Sequence, residues 1–226
     1  MRGALSRPVL QTKWGSRIGP LLYLSSFQYF VIQFLVAIRW SPSYSLSRNT
    51  ISDLGNTVCG RFDGRFVCSQ FHTLMNLSFV GLGASMIAGS VLMARSVATN
   101  RARSWGFTFI AVGGFGVVLV GTFPENANPA LHGIGAFLPF FVGNLGVLIF
   151  GLSRGLPRRF RLFSLTCGTA SLVALLFYVL ADYLGLGEGG LERIVAYPQT
   201  IWLILFGVLV LAHPIGDGPI KDPISS

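Results

Sequence analysis

The sequence predicts an all-α, polytopic membrane bundle of six transmembrane helices, with both termini cytoplasmic and a structured first extracytoplasmic loop. Apolar residues make up 52% of the 226-residue chain and charged residues only 11%, less than half of the roughly 25% charged residues in an average globular domain. Six long apolar stretches recur along the chain, and basic residues are concentrated in alternate connections. This composition excludes a soluble enzyme, a disordered chain and a disulfide-rich secreted module.

The six apolar stretches are long enough to cross a bilayer, because a hydrocarbon core about 30 Å thick needs roughly 20 helical residues. None of them contains Lys, Arg, Asp or Glu, and they cover residues 20–38, 71–93, 104–123, 130–153, 162–180 and 194–212. A core helix of a soluble protein would show a polar face, and alternating barrel strands would be shorter and less continuous. The first stretch follows a basic segment but lacks a convincing cleavage site, so we expect it to be retained.

The distribution of charge predicts the topology. Twelve of the 17 basic residues fall in the N-terminal segment, the second and fourth connections or the C-terminal segment, whereas six of the eight acidic residues fall in the other connections. By the positive-inside rule, both tails, 1–19 and 213–226, are cytoplasmic and flank a transmembrane domain at 20–212. The net charge of +9 then indicates topology and anionic-lipid contact. We expect membrane lipids as partners, no nucleic acid, and a location in the cell membrane; protein partners are not indicated.

The first outer connection, residues 39–70, is long enough to have a structure or role of its own. Residues 49–56, Asn-Thr-Ile-Ser-Asp-Leu-Gly-Asn, could cap a short helix over the bundle, so we interpret the connection as a structured lid. Cys59 and Cys68 lie in this lid, and an oxidising compartment favours a disulfide between them; two unpaired thiols are the alternative. Cys167 lies within the fifth span, where packing is its expected role.

Ionisable and polar side chains gather at the predicted outer boundary of the membrane. Such residues are costly beside lipid and tend to mark function. The candidate catalytic residues are Asp53, His72, Glu125 and His132, and the candidate substrate-binding residues are Asn76, Asn126, Asp182, Glu192, Arg193 and Tyr197. Because burial raises the pKa of a carboxylic acid, a carboxyl group paired with a histidine can move a proton.

Each candidate also has a purely structural explanation. The turn between Pro124 and Pro129 could cap the fourth helix, Glu192 with Arg193 could form an interfacial ion pair, and each histidine could bond to a neighbouring carbonyl. A zinc site is weakly indicated, because the histidine spacing is neither H-x-x-x-H nor H-E-x-x-H. No metal and no cofactor is therefore expected. Phosphate-loop and haem-attachment motifs are absent from the sequence, and Ser69, which precedes His72, does not stand in a G-x-S-x-G elbow.

Several strings carry a family resemblance, and they stand at 49–55 (Asn-Thr-Ile-Ser-Asp-Leu-Gly), 67–76 (Val-Cys-Ser, then His72 and Met75-Asn76), 121–125 (Gly-x-Phe-Pro-Glu) with His132, and 192–198 (Glu-Arg, then Tyr-Pro). They resemble a prokaryotic six-helix integral membrane family of the "domain of unknown function" type, allied to the Frag/DRAM/Sfk group of lipid-associated membrane proteins. The resemblance spans about residues 20–212. It implies a six-helix bundle and, by fold-level analogy, favours a function with lipids.

Three functions fit these observations, and the sequence leaves open whether the protein is an enzyme. In the first, an outer-facing site binds and processes an amphipathic lipid or isoprenoid, with Glu125 or Asp53 as the acid and His72 or His132 as its partner. In the second, the protein is a non-catalytic scaffold or accessory subunit whose outer polar residues fasten the lid. In the third, it is a small-solute transporter with a polar path past Asn144. An open cavity beside the histidines would favour the first.

Overall fold

The computed structural model describes residues 15–41 and 43–212. Part of the predicted topology rests on Arg2, Arg7, Lys13 and Lys221, which lie outside the described residues, as do most of the N-terminal tail and all of residues 213–226.

Six helical segments are long and apolar enough to cross a membrane, namely Arg17–Ala37, His72–Val97, Arg101–Thr122, Pro129–Leu152, Arg158–Val179 and Glu188–Ala212. The prediction of an all-α six-helix bundle is confirmed. Several segments extend beyond their apolar stretches, and the last begins at Glu188 rather than at residue 194. Helical hydrogen bonding continues into the membrane interface, so the charged residues that end an apolar run still belong to the helix.

Two of the six spans are interrupted. The helices are α1 (Gly15–Ser25), α2 (Gln28–Ala37), α3 (His72–Val97), α4 (Arg101–Thr122), α5 (Pro129–Phe137), α6 (Asn144–Leu152), α7 (Arg158–Val179) and α8 (Glu188–Ala212). The first span consists of α1 and α2. In the fourth span a π-helical segment, Leu138–Gly143, separates α5 from α6. This segment contains Pro139, which has no backbone N–H to donate and so favours a break in regular α-helical bonding.

Close backbone contacts hold the bundle together. Helix α3 packs along α4, α1 packs on α3 and α8, and α7 packs on α6 and α8. A Cβ atom placed on Gly83 of α3 would lie 2.5 Å from the carbonyl oxygen of Gly114 on α4. Only glycine permits this approach, as is common between helices in lipid. Towards the C-terminal end of α6, Phe150 contacts Trp202 and Phe206 at ring-centroid distances of 4.8 and 5.2 Å.

The lid is structured, as the sequence predicts. Its expected short helix is a 3-10 helix at Ser52–Gly55, and a two-stranded antiparallel hairpin follows, with β1 at Cys59–Phe62 and β2 at Arg65–Cys68. Cys59 and Cys68 face each other in this hairpin and form the predicted disulfide. Cys167 is a free, buried cysteine. The disulfide closes the open end of the hairpin.

Candidate functional site

Asp53 lies at the centre of the lid and is fully buried. Its Oδ2 atom accepts hydrogen bonds from Asn49 Nδ2 at 3.1 Å, from the Thr50 backbone N–H at 3.0 Å and from Arg65 Nε at 2.7 Å. The Asp53 backbone N–H donates in return to Thr50 Oγ1 at 3.0 Å. This reciprocal pair has the form of a capping box and explains why the 3-10 helix begins where it does.

Arg65 joins the lid to the sixth span. Besides its bond to Asp53, its Nη1 atom donates to Glu188 Oε2 at 2.9 Å, and it lies 3.3 Å from Asp63 Oδ2. Burial alone would lower the pKa of the Arg65 guanidinium, but its hydrogen bond to Asp53 and the carboxyl groups of Asp53, Glu188 and Glu125 raise that pKa overall. The guanidinium therefore stays charged and holds acidic groups from the lid and from α8 in one network.

Glu125 is the second acidic group beside Asp53. Its Oε1 atom accepts a hydrogen bond from Asn56 Nδ2 at 3.0 Å. Burial, followed by the charge of Asp53 and a hydrogen bond with it, raises the pKa of Glu125 to about 8. Asp53 Oδ1 is buried and has no donor among the described residues. The raised pKa means that Glu125 holds a proton near neutral pH, and a protonated carboxyl group can donate a hydrogen bond to a neighbouring acceptor.

Ser52 connects an imidazole to a carboxylate. Its Oγ atom lies 3.1 Å from His132 Nε2 and 3.2 Å from Glu192 Oε1. His132 Nδ1 donates to the Phe123 carbonyl at 2.9 Å, so in the neutral ring the lone pair is on Nε2 and faces Ser52. A hydroxyl has a single proton, which it gives either to Nε2 or to the carboxylate. This geometry can pass a proton between the two groups or activate the hydroxyl as a nucleophile.

One cavity of about 290 Å³, which we call the outer cavity, is lined by Ser52, Arg65, Glu125, His132 and Glu192, whereas Asp53 is buried behind them and does not line it. The polar part of this cavity is formed by Thr50, Ser52, Asp63, Arg65, Glu125, His132, Glu188 and Glu192, and its apolar part includes Phe137, Phe140, Leu175 and Val179. A deeper cavity of about 50 Å³ shares Ser52, Ala136, Phe140 and Glu192 with it and extends into the bundle. The polar groups thus meet apolar walls inside one space, as in many small-molecule sites.

The outer cavity reaches the surface between the fourth and fifth spans. Phe137 of α5 and Val179 of α7 both line it, and their side chains are 52% and 71% exposed. Helix α7 packs along α6, whereas in the described residues it makes little contact with the π-helical segment and none of substance with α5. The outer cavity is therefore bordered by exposed apolar side chains from both spans.

The structure places the other predicted residues in different surroundings. His72 Nδ1 donates to the Ser69 carbonyl at 3.0 Å, and His72 does not line the outer cavity. Asn76 Nδ2 donates to the Gly55 carbonyl at 2.9 Å, and Asn126 bonds to the backbone N–H and the hydroxyl of Thr57 at 2.9 and 2.8 Å. Both asparagines therefore hold the lid. Asp182 is exposed and accepts from the Leu184 backbone N–H at 3.2 Å.

Glu192 and Arg193 project in different directions from α8, as consecutive helical residues do. Glu192 accepts hydrogen bonds from Ile51 and Ser52, whereas Arg193 contacts Tyr44 and lines a separate groove with Tyr197. Within the described part of the chain the two side chains form no ion pair with each other. The same part of the chain contains no group of three or more metal-ligating side chains.

Sequence reasoning missed several polar residues of the outer cavity, among them Ser52, Arg65 and Glu188. Ser52 stands in Asn-Thr-Ile-Ser-Asp, where Thr50 and Asp53 have capping-box spacing, so a helix start was detectable there. The position of Arg65 and Glu188 beside Asp53 depends on how the hairpin and α8 are docked. The spacing of these residues along the sequence does not indicate how the hairpin and α8 are docked.

A family model described as "Protein of unknown function (DUF998)" matches residues 24–209. No curated protein and no solved structure gives a significant match to the chain.

Proposed function

The chain belongs to the DUF998 family of proteins of unknown function, and we propose that it is a multi-pass protein of the cell membrane that binds an amphipathic lipid or isoprenoid at its outer face and processes the head group by acid–base chemistry. One observation carries this proposal. The outer cavity has carboxyl groups and an imidazole at one end, apolar side chains at the other, and an opening between exposed Phe137 and Val179. An amphipathic molecule can enter from lipid without burying a charge at the membrane midplane.

The polar groups suggest a division of roles. Glu125 holds a proton near neutral pH beside Asp53, so it is suited to donate that proton to a leaving group. His132, oriented by the Phe123 carbonyl, faces the Ser52 hydroxyl, so it is suited to accept a proton from that hydroxyl or from a bound water. His72 has no part in this scheme. The alliance with the Frag/DRAM/Sfk group stays a prediction and agrees with a lipid substrate.

Binding is tested by blocking the cavity. Gly133 lines it, and a Cβ atom placed there meets nothing within 4 Å, so a Gly133→Leu side chain would project into open cavity space. Gly81 is a matched control on the exposed face of α3, where a Cβ atom meets only Gln28 Nε2 at 3.9 Å. The probe is total lipid extract from the expressing cells, with retained lipid measured by native mass spectrometry. Gly133→Leu should lose a retained lipid that the wild type and Gly81→Leu keep; equal retention in all three would refute the site.

Catalysis is tested separately on the same extract. The purified wild type, incubated with the extract, should convert one lipid class, and Ser52→Ala, His132→Gln and Glu125→Gln should each lower the rate by at least about 100-fold, the usual contribution of a positioned acid or base. Lipid profiles by mass spectrometry before and after incubation give the rates. Retained binding with no conversion by any variant or by the wild type would reject the catalytic part of the proposal.

A non-catalytic accessory role is the second candidate, and the lid contacts favour it. Asn76, Asn126 and Arg193 all bond to lid backbone atoms or to a lid hydroxyl. If fastening the lid were the whole function, Gly133→Leu would leave the protein fully active in cells, whereas Asn126→Ala would impair it.

A further inference from the structure

A second cavity, which we call the Arg193 groove, lies beside a different face of α8. It measures about 190 Å³ and lies between α2, the lid and α8, with Phe30, Gln33, Phe34, Tyr44, Arg193 and Tyr197 among its lining residues. None of these residues lines the outer cavity. The Arg193 groove is therefore separate from the outer cavity and independent of the function proposed for that cavity.

Arg193 is a buried cation without a matching anion. Arg193 is only 8% exposed. The Nη1 atom donates to the carbonyls of Leu46, Asn49 and Gly189 at 2.9, 3.0 and 2.6 Å, and Nη2 donates to the Tyr44 hydroxyl. In the described part of the chain no carboxylate oxygen lies within 4.0 Å of it. These partners are all neutral, and a buried charge is normally paired because desolvation is costly.

The neighbouring carboxylate is used elsewhere. Glu192 follows the other face of α8 and accepts from the Ile51 backbone N–H and the Ser52 hydroxyl. Its charge acts on Arg193 only from beyond ion-pair distance. Among the described residues, no acidic side chain thus forms an ion pair with Arg193 at this groove.

Two buried donors at this groove have no partner among the described residues, namely Arg193 Nε and Gln33 Nε2. The Gln33 amide is oriented by Tyr197, whose hydroxyl donates to Gln33 Oε1 at 2.9 Å. Unsatisfied buried donors are uncommon and call for an explanation. An oxyanion seated in the groove would meet both donors and the guanidinium charge after a small side-chain adjustment.

The mouth of the groove is apolar. Phe34 on α2 is 65% exposed and Leu46 in the lid is 63% exposed, and Phe34 belongs to a segment long and apolar enough to cross the membrane. A cation with free donors beside exposed apolar side chains matches a molecule with an anionic head and hydrocarbon chains. We propose that the Arg193 groove binds the phosphate head group of an anionic membrane phospholipid, whose chains lie along α2.

The test compares an anionic with a zwitterionic phospholipid of the same chains, and both with a soluble phosphate. Purified full-length protein in neutral detergent is titrated with phosphatidylglycerol, with phosphatidylcholine of the same chains, or with soluble glycerol 3-phosphate, and bound species are counted by native mass spectrometry. One basic residue near a membrane surface contributes roughly fivefold in affinity for an anionic lipid. We expect phosphatidylglycerol to bind at least about fivefold more tightly than phosphatidylcholine, and glycerol 3-phosphate to bind far more weakly.

Variants assign this preference to the groove. Arg193→Gln removes the charge and should abolish the preference for phosphatidylglycerol. Because Arg193 also holds the lid, Phe34→Glu is the second variant: it places a negative charge at the exposed mouth without touching the lid bonds. Ile38→Glu is its control, since Ile38 is 57% exposed near the same end of α2 but does not line the groove.

The preference should disappear in Phe34→Glu and persist in Ile38→Glu. No preference in the wild type, its survival in Phe34→Glu, or its equal loss in Ile38→Glu would overturn the proposal. Binding of glycerol 3-phosphate as tight as that of the lipid would overturn the lipid as occupant. Gly133→Leu should leave the preference unchanged, so failure here and failure of the outer-cavity function are distinguishable.

Discussion

Replacing Glu125 by glutamine should remove a pH dependence of stability that the wild-type protein carries. Burial and the neighbouring charge of Asp53 raise the pKa of Glu125 to about 8 in the folded protein, whereas Asn56 and Arg65 oppose the shift only in part. Glutamine has nearly the same shape, and its amide can donate to the unpartnered Asp53 Oδ1 as a protonated glutamate does. The substitution therefore mimics the protonated state at every pH.

The sign and size of the effect follow from proton linkage. Between the ordinary pKa of 4.5 and about 8, the folded protein holds a proton that the unfolded chain has released. The free energy of unfolding then falls as pH rises, by about 1.4 kcal/mol per pH unit. The stabilisation is complete below pH 4.5 and is lost as pH rises through about 8. Between pH 5.5 and 7.5 the wild type should lose about 3 kcal/mol from this group.

The assay is thermal unfolding in detergent at four pH values from 5.5 to 8.5, combined with hydrogen exchange of the lid. Glu125→Gln should flatten the dependence and exceed the wild type in stability at pH 8.5. Asp182→Asn is the control: this exposed outer carboxylate accepts only from the Leu184 backbone N–H among the described residues, and its loss should leave the wild-type dependence intact. An unchanged slope in Glu125→Gln, or a wild type that becomes more stable with rising pH, would refute the reasoning.

Three further substitutions test the packing of the lid and the bundle. Gly55→Ala should destabilise the docked lid by about 1–3 kcal/mol, because its Cβ atom would lie 2.2 Å from Asn76 Oδ1, whereas Gly60→Ala, which meets nothing within 4 Å, should change lid protease resistance little. Replacing both Cys59 and Cys68 by serine should lower the stability of the hairpin by about 2–3 kcal/mol and speed its amide hydrogen exchange. Cys167→Ala should leave that exchange unchanged. If the double serine variant also exchanged at the wild-type rate, the bridge would not stabilise the hairpin. Asn144→Leu should lower the unfolding temperature, since the fully buried Asn144 Nδ2 donates to the Phe140 and Val195 carbonyls at 3.0 Å each. Interhelical hydrogen bonds in lipid contribute about 1 kcal/mol. An unchanged unfolding temperature would mean that water or another donor replaces the Asn144 amide.

The six spans could be predicted because lipid imposes a length and a composition on every crossing helix. The ends were less predictable: α8 begins at Glu188, inside a polar run that hydropathy alone assigns to a connection. The π-helical segment around Pro139 does not follow from the proline alone. Hydrogen-bond geometry within a helix depends on packing against its neighbours, which the sequence does not state.

The level of the site in the membrane was predictable, but its division into two spaces was not. Every span is apolar nearly all round, so the sequence contains no amphipathic stripe that fixes the rotation of α8. From the sequence, the adjacent residues Glu192 and Arg193 could form one ion pair. In the structure, Glu192 instead accepts from the Ser52 hydroxyl, and Arg193 donates to the Leu46 carbonyl. Likewise, His72 and His132 occupy similar positions at helix starts, and only His132 lines the outer cavity.

The hydrogen bonds between the lid and α8 join an early and a late part of the chain, which the ribosome synthesises at different times. Ile51 and Ser52 are bound by Glu192, and Asn49 by Arg193, across 141, 140 and 144 residues, whereas the two cysteines are nine residues apart. During synthesis the bridge can close as soon as the hairpin emerges, but the Glu192 and Arg193 anchors of the lid do not exist until α8 has been made and inserted. Seating of the lid therefore depends on the insertion of α8, and a product truncated before α8 would be left with a bridged but unanchored loop.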